Sequence, residues 1–289
     1  VLTILDPAEH NQRRRIWDRG FSATALKSYE PMLDARVSQL SAALEGRVGE
    51  PVDLAQWIGF MTLDFMGDFS LNGQFDFLAR GEDAAGFHEF IIKAVTRLEL
   101  LGAIPWIRPF VLALPRVGLK AFQEFSLRVV KSRIENGSKY RDIFYYLVSR
   151  ASIGGDFSAY KANQLNEDGE GSHAPLTLKS LTTEASLAII AGSDTTSAAL
   201  ANAIVYLLAN PYHLTRLRAE LDAAAGEGAV YDVDIEADKL AHLEYLQAII
   251  NETLRLMPAM PHGAQRMPPQ DGGAVLVAGQ YDRSFELLA

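Results

Sequence analysis

The 289 residues are 48% hydrophobic and 22% charged, which supports a sizeable buried core and argues against disorder. A formal net charge of −9 argues against nucleic acid as the main partner, since phosphate binding needs a basic footprint. With no cysteine, disulfides, zinc–thiolate sites, iron–sulfur clusters and cysteine nucleophiles are excluded within these residues; six scattered histidines, none paired at ligand spacing, argue against a metal held by side chains alone.

Taken in chain order, the sequence predicts a mainly α fold. Asp6-Pro7 opens a first helix over 8–17, with the proline inside the first turn. An apolar stripe at Leu33, Val37, Leu40 and Leu44 marks a second over 29–44. A third, over 54–66, has Asp53 as its N-cap. A fourth covers 84–101, and Pro105, Pro109 and Pro115 punctuate the connector behind it. Helices resume over 119–136 and 142–149, and residues 150–175 read as a Gly/Ser/Asn/Asp-rich loop. A long helix over 177–210 stops at Asn210-Pro211; the next ends at Gly226, and the last clear helix covers 243–257. Residues 275–281 read as a single strand. No secretory signal pattern opens the sequence, and the polar centre of the long helix speaks against a membrane span.

Two segments carry chemistry. In the long helix stands Ala191-Gly192-Ser193-Asp194-Thr195-Thr196-Ser197. Glycine costs a helix roughly 1 kcal/mol relative to alanine, and Asp and Thr compete with the backbone for hydrogen bonds. Gly192 would let a flat group approach the backbone, Thr195 could bond back to an upstream carbonyl, and Asp194 with Thr195 forms an acid–alcohol pair able to relay protons. A kinked core helix with a satisfied Asp fits this run as well. In the last helix, Glu252 and Arg255 at i and i+3 share a face and can pair, on the surface or buried.

The two motifs, about 60 residues apart, together resemble the cytochrome P-450 family of haem-thiolate monooxygenases, with (A/G)-G-x-(D/E)-T-(T/S) on one helix and E-x-x-R followed by proline on a later one. The resemblance covers nearly the whole chain and is of the fungal microsomal type. It implies a P-450-like helical fold, incomplete, with residues 1–289 forming one partial domain and little remaining β-sheet. Asp194 and Thr195 are implied as catalytic proton donors. His10 and Arg14 are implied to hold one haem propionate, Arg266 the other, and Ala191 and Gly192 to line the haem. Leu187, Ala188 and Ala191 are implied to face substrate, and Glu252 with Arg255 to form a structural ion pair.

Haem b, an NADPH-dependent reductase and a small apolar substrate are the implied cofactor and partners of the full-length form. Its implied place is the endoplasmic reticulum membrane, reached through an N-terminal anchor missing here. The axial cysteine and its loop are also missing, so this chain as given is expected to be inactive, with weak or absent haem binding. The rival reading is a non-catalytic helical interaction protein that reuses the scaffold.

Overall fold

The computed structural model describes residues 6–71, 73, 75–83, 86–107, 119–136, 142–148, 178–226, 237–260, 275–277 and 280–282. Its elements are α1 (Pro7–Gly20), α2 (Ala23–Glu45), α3 (Leu54–Leu71), α4 (Phe77–Arg80), α5 (Phe87–Ala103), a 3-10 turn (Pro105–Ile107), α6 (Leu119–Asn136), α7 (Ile143–Val148), α8 (Leu178–Ala209), α9 (Pro211–Ala225), α10 (Ala237–Leu240) and α11 (Glu244–Leu256). The described strands form one antiparallel hairpin, β1 (Val275–Val277) with β2 (Gln280–Asp282).

Local capping chemistry sets many of the helix starts. Asp6 accepts the Glu9 N–H at 2.8 Å, and Asp53 accepts that of Gln56 at 3.0 Å. Three N–H groups at the start of α5, from Phe87, His88 and Glu89, converge on the Asp83 carboxylate. Ser22 caps α2 by accepting the Ala25 N–H, so that helix begins six residues before the expected Tyr29. Pro31 lies inside α2 on an exposed face, where water can take up the carbonyl left by its missing N–H. α9 ends at Gly226, whose φ of 92° suits glycine alone without strain. The expected single strand is instead two short ones. Val277 pairs with Gln280, leaving two residues between them, the commonest length for a hairpin link.

The core is built on α3 and α8, which pack along each other. Trp57, Phe60, Met61 and Leu63 of α3 join Leu181, Ala185 and Ile189 of α8, with Ile91, Val129, Val130 and Phe144 around them. A chain of aromatic rings extends this core: Phe60 stacks on Phe77, Phe77 on Phe75, and Phe75 on Phe125. A second cluster joins Ala25, Tyr29 and Met32 of α2 to Met66 and Phe69 of α3, Ile143 of α7 and Ala188 of α8. Burial on nearly every side explains why α3 lacks a polar face. α8 is long and apolar enough to cross a membrane by length and composition. Here its first half lies in the core, and Asp194 stands mid-helix.

The four-residue helix α4 depends on a distant acid. Asp64 of α3 is fully buried and accepts the N–H groups of Phe77 and Leu78, each at 2.9 Å. Arg36 of α2 lies 3.6 Å from Asp64 and bonds Asp68 through two nitrogens at 2.6 and 3.0 Å. Burial pushes the Asp64 carboxyl up, against the lowering effect of the two backbone donors and Arg36. Asp64→Ala strands those buried donors and is expected to cost about 1–3 kcal/mol of stability. Urea denaturation of the variant against the unmutated chain measures it; an unchanged midpoint would contradict this role.

At the other end of the molecule, Glu220 of α9 caps α11 from outside, accepting the N–H groups of Tyr245 and Leu246 at 2.9 Å. The surface here is apolar. Val205 and Leu208 of α8 are about 60% exposed, and Ile250, Leu254 and Leu256 of α11 are 40–47% exposed.

Candidate active site

α8 presents three faces. Leu181, Ala185 and Ile189 turn into the main core. Ala188 and Gly192, four apart, turn toward α3. Leu187, Ala191 and Thr195, again spaced by four, run along a third face where Ala191 is exposed and its two neighbours are half-buried. The polar run does not break the helix, which is continuous from Leu178 to Ala209. Thr195 Oγ1 donates to the Ala191 carbonyl at 2.6 Å, the back-bond expected from the sequence. Ser193 donates to Ile189 O at 2.6 Å, and Ser197 to Asp194 O at 2.9 Å.

Two of the residues named from the sequence, Ala188 and Gly192, pack toward α3. Ala188 is 7% exposed and belongs to the second core cluster, with Met66 and Phe69 of α3. A Cβ on Gly192 would meet the end of the Met66 side chain at 2.6 Å, so the bare Cα there leaves room for that side chain. The reason is helical phase: position 192 repeats position 188, whereas 191 repeats 187.

On α1, His10 is half-buried, and the Arg14 side chain is 65% exposed with Asp18 3.6 Å away. The next-door Arg13 points inward. It reaches Glu184 of α8 at 3.3 Å and Glu9 at 2.8 Å, and Trp17 Nε1 donates to the same Glu184 at 3.2 Å. The sequence reading passed over Glu184, which follows Lys179, Ser180, Thr182 and Thr183 in the polar first turns of α8, where an acid gives no sign of burial in the sequence.

His88 was also missed. Its ring meets Phe60 edge-on at 5.6 Å and lies against Gly59 of α3. Burial lowers its pKa, against opposing pulls from Asp83, Asp194 and Asp53. The Asp194 carboxylate therefore acts across the gap between α8 and α5. Because the folded pKa lies below the ordinary value of 6.5, the stability contributed by His88 is present above that value and lost as pH falls through the lowered one. Between about pH 8 and pH 5, the unmutated chain is expected to lose more stability than His88→Gln. Parallel losses in urea midpoint would contradict this.

On α11, Arg255 donates twice to Glu252, both bonds at 2.7 Å, and both side chains are more than half exposed. The guanidinium holds the Glu252 carboxyl below its usual range. Arg266 lies outside the described residues. Among the described residues no group of three or more His, Asp or Glu is placed to hold a metal ion.

The family model for cytochrome P-450 matches residues 2–273, and the chain belongs to that family. Similar curated proteins are fungal. The cytochrome P-450 monooxygenase orf5 of Eupenicillium brefeldianum is 31% identical over 284 residues, covering 94% of this chain and 53% of the relative. The cytochrome P-450 monooxygenase FCK2 of Fusarium pseudograminearum is 33% identical, covering 92% of this chain and 45% of the relative. The chain thus spans about half the length of the curated relatives it matches. Among solved structures, the heme domain of cytochrome P450DA is 21% identical with a TM-score of 0.60, covering 83% of this chain and 48% of that one. The mainly helical fold and the fold of these heme domains agree.

Haem is the cofactor the family implies. The residues present suit part of it. The α8 face of Leu187, Ala191 and Thr195 offers small and apolar groups beside a hydroxyl, and Arg14 offers an exposed guanidinium suited to a carboxylate. A thiolate is not among these 289 residues.

Proposed function

We propose that this chain supplies the distal half of the catalytic site of a fungal haem-dependent monooxygenase. The protein containing it would insert one oxygen atom from O₂ into an apolar organic substrate. The observation that carries this reading is the Thr195–Ala191 back-bond beside Asp194 on the open face of α8.

Haem, when bound, supplies the oxygen-activating iron. The residues of this chain would hold and serve it. His10 and Arg14 bind a propionate, and Ala191 leaves room for the ring. Leu187, one turn up the same face, meets the apolar substrate. Releasing the second oxygen atom as water consumes protons. Thr195 Oγ1 passes its proton on by exchanging its bond to the Ala191 carbonyl for one to the acceptor, and Asp194, after taking up a proton from solvent, returns one to Thr195. Electrons come from a reductase. The exposed apolar residues of α8 and α11 fit a surface that other parts of the protein cover. Without a cysteine thiolate, residues 1–289 on their own are not expected to turn over.

Labelled dioxygen tests the reading. The full-length protein, given haem, a reductase and a panel of apolar compounds, is expected to place one labelled oxygen atom in a product. Oxygenation that draws its atom from water, or none across the panel despite haem uptake, would contradict it.

A further inference from the structure

The helix that carries His10 and Arg14 is joined to the helix that carries Asp194 and Thr195 by one buried acid. The Glu184 side chain is 3% exposed. One carboxylate oxygen accepts Arg13 Nη1 at 3.3 Å and the other accepts Trp17 Nε1 at 3.2 Å. Arg13 is itself steadied by Glu9 through Nη2. At 3.6 residues per turn, positions 10, 13, 14 and 17 fall within about 100° of the α1 circumference. The two residues that Glu184 grips therefore stand beside His10 and Arg14, the two proposed to hold a propionate. A buried ion pair adds little net stability but fixes geometry, and each end is expensive to leave alone.

We propose that Glu184 is a positioning residue, which sets α1 against α8 and so fixes where His10 and Arg14 present their donors to a carboxylate-bearing cofactor. This rests on the reading that haem lies between these helices. Glu184 touches neither haem nor substrate; it acts through Arg13 and Trp17. Leucine at this position removes both acceptors and leaves the half-buried Arg13 with Glu9 alone. Glutamine keeps the shape and one acceptor but loses the charge facing Arg13.

The test uses the full-length, haem-loaded protein and follows transfer of its haem to excess apomyoglobin. Glu184→Leu is expected to lose haem about 10–100-fold faster than the unmutated protein, with Glu184→Gln between them. Asp64→Asn, which weakens the fold at α4, serves as a control and is expected to keep the original rate. Normal haem uptake with Glu184→Leu and Glu184→Gln no faster than the control overturns the positioning role alone. If the leucine variant does not fold, the glutamine variant decides, and an unchanged rate in it overturns the role. Failure of the unmutated protein to take up haem overturns the functional reading and this inference with it.

Discussion

Asparagine in place of Asp194 is expected to slow oxygenation by the full-length protein about 10²–10⁴-fold, the usual share of a positioned acid–base group. The amide keeps the size and one acceptor of the carboxylate, so α8 and its contacts persist. What it loses is a dissociable proton beside Thr195, whose own hydrogen is committed to the Ala191 carbonyl in the resting geometry. Electrons would still arrive, so the fraction of delivered electron pairs that yields product should fall along with the rate. Turnover and product per reductant consumed, measured side by side, check both points. An Asp194→Asn protein with unchanged turnover would remove the acid–alcohol pair from the mechanism and leave the bland alternative, a satisfied core Asp.

The largest expected effect on stability belongs to Arg133, far from these motifs in sequence. Its guanidinium is 1% exposed and bonds the fully buried Asp142 carboxylate at 2.9 and 3.2 Å. Asp142 also accepts the Tyr145 N–H at 2.8 Å, holding the start of α7. Next to it, burial pushes the Tyr29 phenol well above its ordinary pKa, and Tyr146 and Asp142 push the same way, while its hydroxyl donates to Gly20 O. Arg133→Ala leaves a carboxylate in this setting without its cation and is expected to cost about 3–5 kcal/mol. Replacing both partners at once, with Arg133→Met and Asp142→Leu, should recover much of that loss, because the pair itself returns little beyond its desolvation. Arg133 Nη1 has no partner among the described residues, which already lowers the pair's worth. Urea midpoints for the single and double variants measure the difference. A double variant as weak as the single one would contradict the assignment.

What could be read in the sequence was local. Asp6, Asp53, Asn210-Pro211 and Gly226 mark helix ends by chemistry confined to a few residues, and the long apolar period of α8 gave that helix nearly whole. The start of α2 was misplaced because its apolar stripe begins late, whereas Ser22 does the capping. α4 escaped notice because four residues show no period, and its cap is an aspartate from another helix. The same split holds at the site. The Thr195 back-bond and the Glu252–Arg255 pair follow from spacing on one helix. Which face of α8 meets α3 does not, because that depends on Met66 filling the space beside Gly192. The place of Ala188 among the α3 contacts was not legible for this reason. Glu184 and His88 act across elements, and their partners lie too far off in sequence for spacing to reveal.

The absorption spectrum of the reduced protein under carbon monoxide tests the haem-dependent reading most directly. The full-length protein that carries this segment is expected to show a thiolate-type band, while residues 1–289 alone, having no cysteine to supply a thiolate, show none. A full-length protein that takes up no haem, or whose band is of the histidine-ligated type, would contradict that reading.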